Sequence, residues 1–90
     1  MRAIITVLGK DNLGIIYNVT KIVSEHQANI LDISQTIMSE DIFAMFMLVD
    51  VAKLDSDYKT MAAELKAFGD ANGYAIHVQR EDVFNAVHSI

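Results

Sequence analysis

Ile42 to Val51 is the stretch that most limits how this chain can fold. Phe43, Met45, Met47, Val49 and Val51 fall on one side of an extended strand, and Ile42, Ala44, Phe46 and Leu48 on the other. A strand that is apolar on both faces belongs in the middle of a sheet covered on both sides. One layer of helices covers only one side. The C-terminal tail or a second subunit is then expected to cover the other. The composition agrees: 52% of the 90 residues are hydrophobic. A chain this short buries only roughly 60–65% of its unfolded surface, so a partner surface is expected.

The second informative stretch is Gly9-Lys10-Asp11-Asn12-Leu13-Gly14. Arg2 to Leu8 before it is apolar and β-branched, the pattern of a buried strand. After it, Ile15, Ile16, Val19, Ile22 and Val23 recur at helical spacing, one face apolar. The six residues therefore form a strand-to-helix turn. Gly9 and Gly14 allow backbone angles or close approaches that a side chain forbids. Asp11 or Asn12 is placed to cap the helix. The free N–H groups of the first helical turn point at whatever docks there, which suits a small anionic or zwitterionic ligand. An ordinary capped turn has the same local sequence.

The remaining elements follow in order. Helix one is expected over about Asn12–His26, with Gln27-Ala28-Asn29 turning the chain and Asn29 as its stop, because Asn tolerates the left-handed conformation. Strand two runs from Ile30 to about Ser39; Leu31, Ile33 and Ile37, with Gln35 among them, form its buried face, and Asp32, Ser34, Thr36 and Met38 its more polar one. Ser39-Glu40-Asp41 joins it to strand three as an antiparallel hairpin. Asp55 or Ser56 is in position to cap helix two, whose stripe is Tyr58, Met61, Leu65 and Phe68. Gly69 and Gly73 mark its end region, with Gly73 the stop. Strand four spans Tyr74 to about Arg80. Val83, Phe84, Val87 and Ile90 share one face of a tail helix, and Glu81 and Asp82 in its first turn suit the helix dipole. The order β-α-β-β-α-β is the ferredoxin-like α+β pattern. It implies a four-stranded antiparallel sheet in order 4-1-3-2, with both main helices on one face, over residues 1–80. The helical tail, residues 81–90, is expected to pack on the domain or on a neighbouring subunit.

Several function classes are disfavoured. The formal net charge is −5 and the pI about 4.9, which opposes binding to nucleic-acid backbones or anionic membranes. There is no cysteine, hence no disulfide or thiolate chemistry. No apolar run spans a bilayer and no signal-peptide pattern opens the chain, so a soluble cytoplasmic protein is expected. His26, His77 and His88 lack metal-site spacing. Ser24-Glu25-His26 are adjacent helix residues that diverge, and Glu40 and Asp41 lie in a turn. Gly9–Gly14 is neither a P-loop nor a dinucleotide fingerprint. An RNA-binding module of this fold wants aromatics on strands one and three and a basic surface. A phosphatase wants an Arg in the first loop, where only Lys10 stands. No catalytic residue, metal or cofactor is expected.

Three segments carry a family resemblance: Ile5-Thr6-Val7-Leu8-Gly9-Lys10-Asp11-Asn12-Leu13-Gly14-Ile15-Ile16, Ala28-Asn29-Ile30-Leu31-Asp32-Ile33, and Phe43-Ala44-Met45-Phe46-Met47-Leu48-Val49-Asp50. In order and spacing they resemble an ACT domain, a small regulatory module that binds amino acids, over about Arg2–Arg80. The whole chain is similar to free-standing single-ACT bacterial proteins related to the two-ACT regulators of the glycine cleavage system. The resemblance implies side-by-side pairing through edge strands into an eight-stranded sheet. It also implies an amino acid held between the first loop of one subunit and the start of strand two of its neighbour. Carried over by position, the ligand-binding residues are Asp11, Asn12, Leu13 and Gly14, with Asn29, Ile30 and Leu31. Asn12 and Leu13 stand where many members have Arg or Lys followed by Pro. The expectation is a non-enzymatic regulatory protein, a homodimer or larger, acting through dimerisation or an unknown protein partner. The alternative is an interaction domain with no small-molecule ligand.

Overall fold

A computed structural model describes residues 1–10, 14–38, 41–51 and 55–88, without the side chains of 55–57 and 86–88. The expected roles of Asp11, Asn12, Leu13, Ser39, Glu40, Asp55, Ser56, Val87 and Ile90 lie outside these limits. The elements are β1 (Arg2–Lys10), α1 (Ile15–Glu25), β2 (Ala28–Ile37), β3 (Ile42–Val51), α2 (Asp55–Asn72), β4 (Ala75–Arg80) and α3 (Glu81–His88). The four strands form one sheet in the order β2-β3-β1-β4, with every neighbouring pair antiparallel. This is the ferredoxin-like order expected from the sequence, read from the opposite edge.

β3 is central, as its two apolar faces require. Ile5 pairs with Met47 and Val7 with Met45 in the β1–β3 ladder, and all four side chains are fully buried. They meet Val19 and Val23 of α1 and Met61 and Leu65 of α2 in one core on one face of the sheet. Each such buried side chain contributes roughly 1.5–3 kcal/mol before entropy. On the opposite face Ala44 is buried, but Phe46 stays 44% exposed and Ile42 and Leu8 are also exposed. Phe84 of α3 shares a cleft on that face with Ile4, Phe46 and Leu48.

Strand two differs from expectation. It starts at Ala28, and its ladder with β3 shifts between Ile30 and Asp32, a β-bulge at Leu31. One extra residue reverses the alternation. Ile33, Gln35 and Ile37 therefore stand opposite Met47, Met45 and Phe43 on the helix side, while Asp32, Ser34 and Thr36 stand opposite Leu48, Phe46 and Ala44. Leu31 does not share a regular face with Ile33 and Ile37. Nor is there a buried face beyond the bulge: Ile33 is 39% and Ile37 64% exposed, because β2 is an edge strand of the sheet.

Helix boundaries shift for local reasons. α1 begins at Ile15 rather than near Asn12. Gly14 is its N-cap at φ 91, with no side-chain cap bond. Asn18 supports the turn by donating its Nδ2 hydrogen to the Gly14 carbonyl at 2.9 Å. The chain leaves α1 through Gln27 at φ 58, so Gln27 takes the left-handed position expected of Asn29, which sits in β2 opposite Asp50. α2 ends as expected: Gly73 has φ 79, and the Tyr74 N–H donates to the Gly69 carbonyl at 2.8 Å, the wide bond of a Schellman closure. His26, at the end of α1, pairs with Glu64 of α2 at 2.5 Å.

A left-handed glutamine carries a steric cost that glycine lacks. Gln27→Gly is expected to raise stability by about 0.5–1 kcal/mol and Gln27→Val to lower it, as read from urea denaturation midpoints.

Candidate functional site

Two groups of residues were carried onto the site; of the first only Gly14 is described, and β1 separates the turn it belongs to from the second group. The first is the turn between β1 and α1. By helix geometry the N–H groups of Ile15, Ile16 and Tyr17 have no partner within the helix, and the first α-helical bond runs from the Asn18 N–H to the Gly14 carbonyl at 2.9 Å. No acidic side chain occupies the first turn. The N-terminal positive end of α1 is therefore uncompensated by charge within that turn.

Beneath the turn, Gly9 has a structural reason to lack a side chain. A Cβ there would lie 2.4 Å from Cδ1 of Tyr74. The Tyr74 ring covers Gly9 and stacks on Phe68, centroids 6.4 Å apart and 7° from parallel. The Tyr74 hydroxyl is buried and has no hydrogen-bond partner among the described residues. The sequence reading did not single out Tyr74 as a site residue. The available signal was a large side chain following Gly73, where strand four comes alongside Gly9.

The second group is Asn29, Ile30 and Leu31. Asn29 is exposed, Ile30 half-buried and Leu31 exposed. Asn29 lies opposite Asp50, which lies opposite Arg2 at the start of β1. The turn follows Lys10 at the other end of β1. Lys10, which leads into the turn, and Asn29 thus sit at opposite ends of the sheet, roughly 26 Å apart along the strand. One protomer does not bring them together.

One cleft, about 470 Å³, is lined by Met1, Arg2, Asp50, Arg80, Glu81 and Asp82. Its charges satisfy one another. Arg80 forks onto Asp82 at 3.1 and 2.8 Å, Arg2 meets Glu81 at 3.3 Å, and the Met1 ammonium meets Asp50 at 3.3 Å. The hydrogen bond from Arg80 holds the Asp82 carboxyl below its ordinary pKa. Little is left there to recognise a ligand. A second cleft, about 300 Å³, is lined by Gln35, Thr36, Ile37 and Phe43. It lies at the free edge of the sheet, and Phe43 pairs with Gly9, so this cleft and the β1–α1 turn share one end of the molecule. The sequence reading assigned none of these four residues to a site, because strand periodicity does not tell which face of β2 stands beside Phe43.

Residues 2–79 match the family model described as ACT domain. The chain belongs to the ACT domain family. It is 44% identical to a UPF0237 protein of Methanocaldococcus jannaschii over 99% of this chain and 98% of the relative. A UPF0237 protein of Listeria monocytogenes is 42% identical over the full length of both chains. Among solved structures, an ACT domain protein from Streptococcus pneumoniae superposes with a TM-score of 0.80 and 37% identity, covering 93% of each chain. A putative glycine cleavage system transcriptional repressor has the same fold, with a TM-score of 0.75 and 23% identity over 87% of this chain and 44% of its own. In this ACT domain no described helix is long and apolar enough to cross a membrane. Among its described residues no cluster of His, Cys, Asp or Glu could hold a metal ion.

The contact over Gly9 gives a direct check on the site's architecture. Gly9→Ala forces the stacked Tyr74 ring aside and is expected to destabilise this ACT domain by about 1–3 kcal/mol. Tyr74→Phe keeps the ring and removes an unpartnered hydroxyl, and is expected to be neutral or stabilising. Denaturant midpoints of the two variants test both statements.

Proposed function

We propose that this ACT domain is a regulatory module that binds an amino acid at a site shared by two protomers and acts through dimerisation or a protein partner. The observation that carries this reading is the separation of Gly14 from Asn29 along one sheet. Residues at opposite ends of one protomer become neighbours when two copies run antiparallel, and β2 offers an unpaired edge for that arrangement. The start of the second copy's β2 then lies beside the end of the first copy's β2, next to the cleft at Ile37 and Phe43 and the β1–α1 turn.

In this site the ligand's carboxylate sits at the free N–H groups that open α1, where the helix dipole favours negative charge. Asp11 and Asn29 supply acceptors for its ammonium, Asn12 is a weaker acceptor, and Leu13, Ile30 and Leu31 complete the walls. Ligand and dimer are linked: binding stabilises the dimer, and dilution weakens binding. The reading needs no catalytic group, metal or cofactor, and its setting is the cytoplasm. The putative glycine cleavage system repressor with the same fold supports a regulatory role.

Thermal shifts with the common amino acids test the proposal. At least one amino acid should raise the melting temperature of the wild type. Asp11→Ala should lose on the order of 1–3 kcal/mol of affinity, and Gly14→Val should lose more, because its φ of 91 strains any β-branched residue. No shift with any amino acid, or an equal shift in wild type and Asp11→Ala, contradicts the corresponding part of the assignment.

A further inference from the structure

The open face of the sheet carries a groove whose charge balance is unfinished. Its floor is Phe46 and Leu48 of β3, with Ile4 of β1 beside them. Asp32 and Ser34 of β2, opposite Leu48 and Phe46 in the ladder, form one wall. Glu81 and Phe84 of α3 form the other. The groove holds about 250 Å³, below the roughly 300–1,000 Å³ of small-molecule pockets, and has room for one protruding side chain. Most charges around it are already matched. Glu81 pairs with Arg2 at 3.3 Å, Asp82 with Arg80 at 2.8 Å, and Asp50 with the Met1 ammonium at 3.3 Å. Asp32 is the carboxylate left over. It is exposed, and its side chain has no ion pair or hydrogen bond among the described residues.

We infer that this groove docks an arginine side chain of a partner protein, an inference that rests on the protein-partner half of the reading above and is separate from the amino-acid site. Phe46 is 44% exposed, and Ile42 and Leu8 are exposed on the same face. A partner that covers this apolar row also covers Asp32 and Ser34, because they stand beside Leu48 and Phe46. A purely apolar partner buries the Asp32 carboxylate unpaired, which costs more than covering one phenylalanine returns. The partner therefore brings a cation into the groove. A guanidinium matches each wall. Its flat face lies on the aromatic rings, its fork meets the Asp32 carboxylate, and a remaining N–H donates to the Ser34 hydroxyl. Its methylenes run along Leu48 and Ile4. A lysine brings the charge without the fork or the stacking. The formal net charge of −5 draws a basic partner in from a distance. A second copy of this chain is a poor occupant. It is equally acidic, and its two arginines, Arg2 and Arg80, are held by Glu81 and Asp82.

Random peptides displayed on phage and selected on the full chain provide the probe. The selected peptides are synthesised, and their affinities are measured for wild type, Asp32→Asn, Phe46→Ala and Asp70→Asn. Asp70 lies on α2, in the helical layer on the opposite face of the sheet, so its variant reads general attraction to an acidic protein. Asp32→Asn keeps the side chain's shape on an exposed edge strand, and melting curves check that every variant is folded. The inference expects peptides that share an arginine and bind Asp32→Asn and Phe46→Ala about tenfold weaker or worse. Replacing that arginine by lysine or citrulline should weaken binding similarly, and Asp70→Asn should bind as wild type does. Three results overturn it: peptides with no shared arginine, equal losses in Asp32→Asn and Asp70→Asn, or no peptide whose binding depends on Asp32 and Phe46. Thermal shifts with the common amino acids, run on wild type and Asp32→Asn, read the other site. Equal shifts in the two chains support separate sites, and loss of the shift in Asp32→Asn overturns that separation. A wild type that shows no shift overturns the amino-acid reading alone, while the peptide affinities still decide the groove.

Discussion

The β1–β3 ladder is the contact on which the rest of the structure depends. Its odd-numbered side chains, Ile5 and Val7 against Met47 and Met45, make the floor on which both main helices pack. The same ladder fixes the phase of everything outside it. Because odd residues of β3 bond to β1, even residues must bond to β2, and the outward-facing groups of the edge are set in turn. The central pair thus determines the helical layer, the exposed row on the open face, and the character of the free edge.

The fold was legible wherever a side chain's burial follows from its place in a period. Strand three is apolar on both faces because it is central, and α1 and α2 show their core residues at helical spacing. Gly73 stops α2 as its position after the stripe suggested. Legibility failed where a single backbone residue changes the count. The bulge at Leu31 leaves no mark in composition, yet it moves Ile33 and Ile37 off the face assigned to Leu31. Gln27 occupies a left-handed turn position that the preference for Asn assigned to Asn29. Edge position, not sequence, explains why an alternating strand such as β2 has almost no buried side chains.

The candidate site was legible only in part for a related reason. Gly14 could be assigned to the turn because strand, glycine and helix follow one another directly. Tyr74 was not, because its ring reaches Gly9 from more than sixty positions away through the β1–β4 pairing, and a large side chain after Gly73 marks the contact only once that pairing is known. Asn29 is the instructive case. Its position after helix one is plain, but only the antiparallel ladder reveals that it lies at the far end of the sheet from Gly14. A site made of both residues is therefore a statement about assembly as much as about ligand chemistry.

That statement is tested most directly by complementation. Gly14→Val damages the turn half and Asn29→Ala the strand half, so each homodimer contains only damaged sites. In a mixed dimer, one of the two sites combines the intact turn of one chain with the intact strand of the other. Titrating the separate variants and their mixture, by calorimetry, with the amino acid that stabilises the wild type decides the matter. The account predicts binding of wild-type affinity in the mixture, at reduced stoichiometry, where neither variant binds well alone. A mixture that binds no better than its components, with both chains folded and exchanging partners, would contradict it.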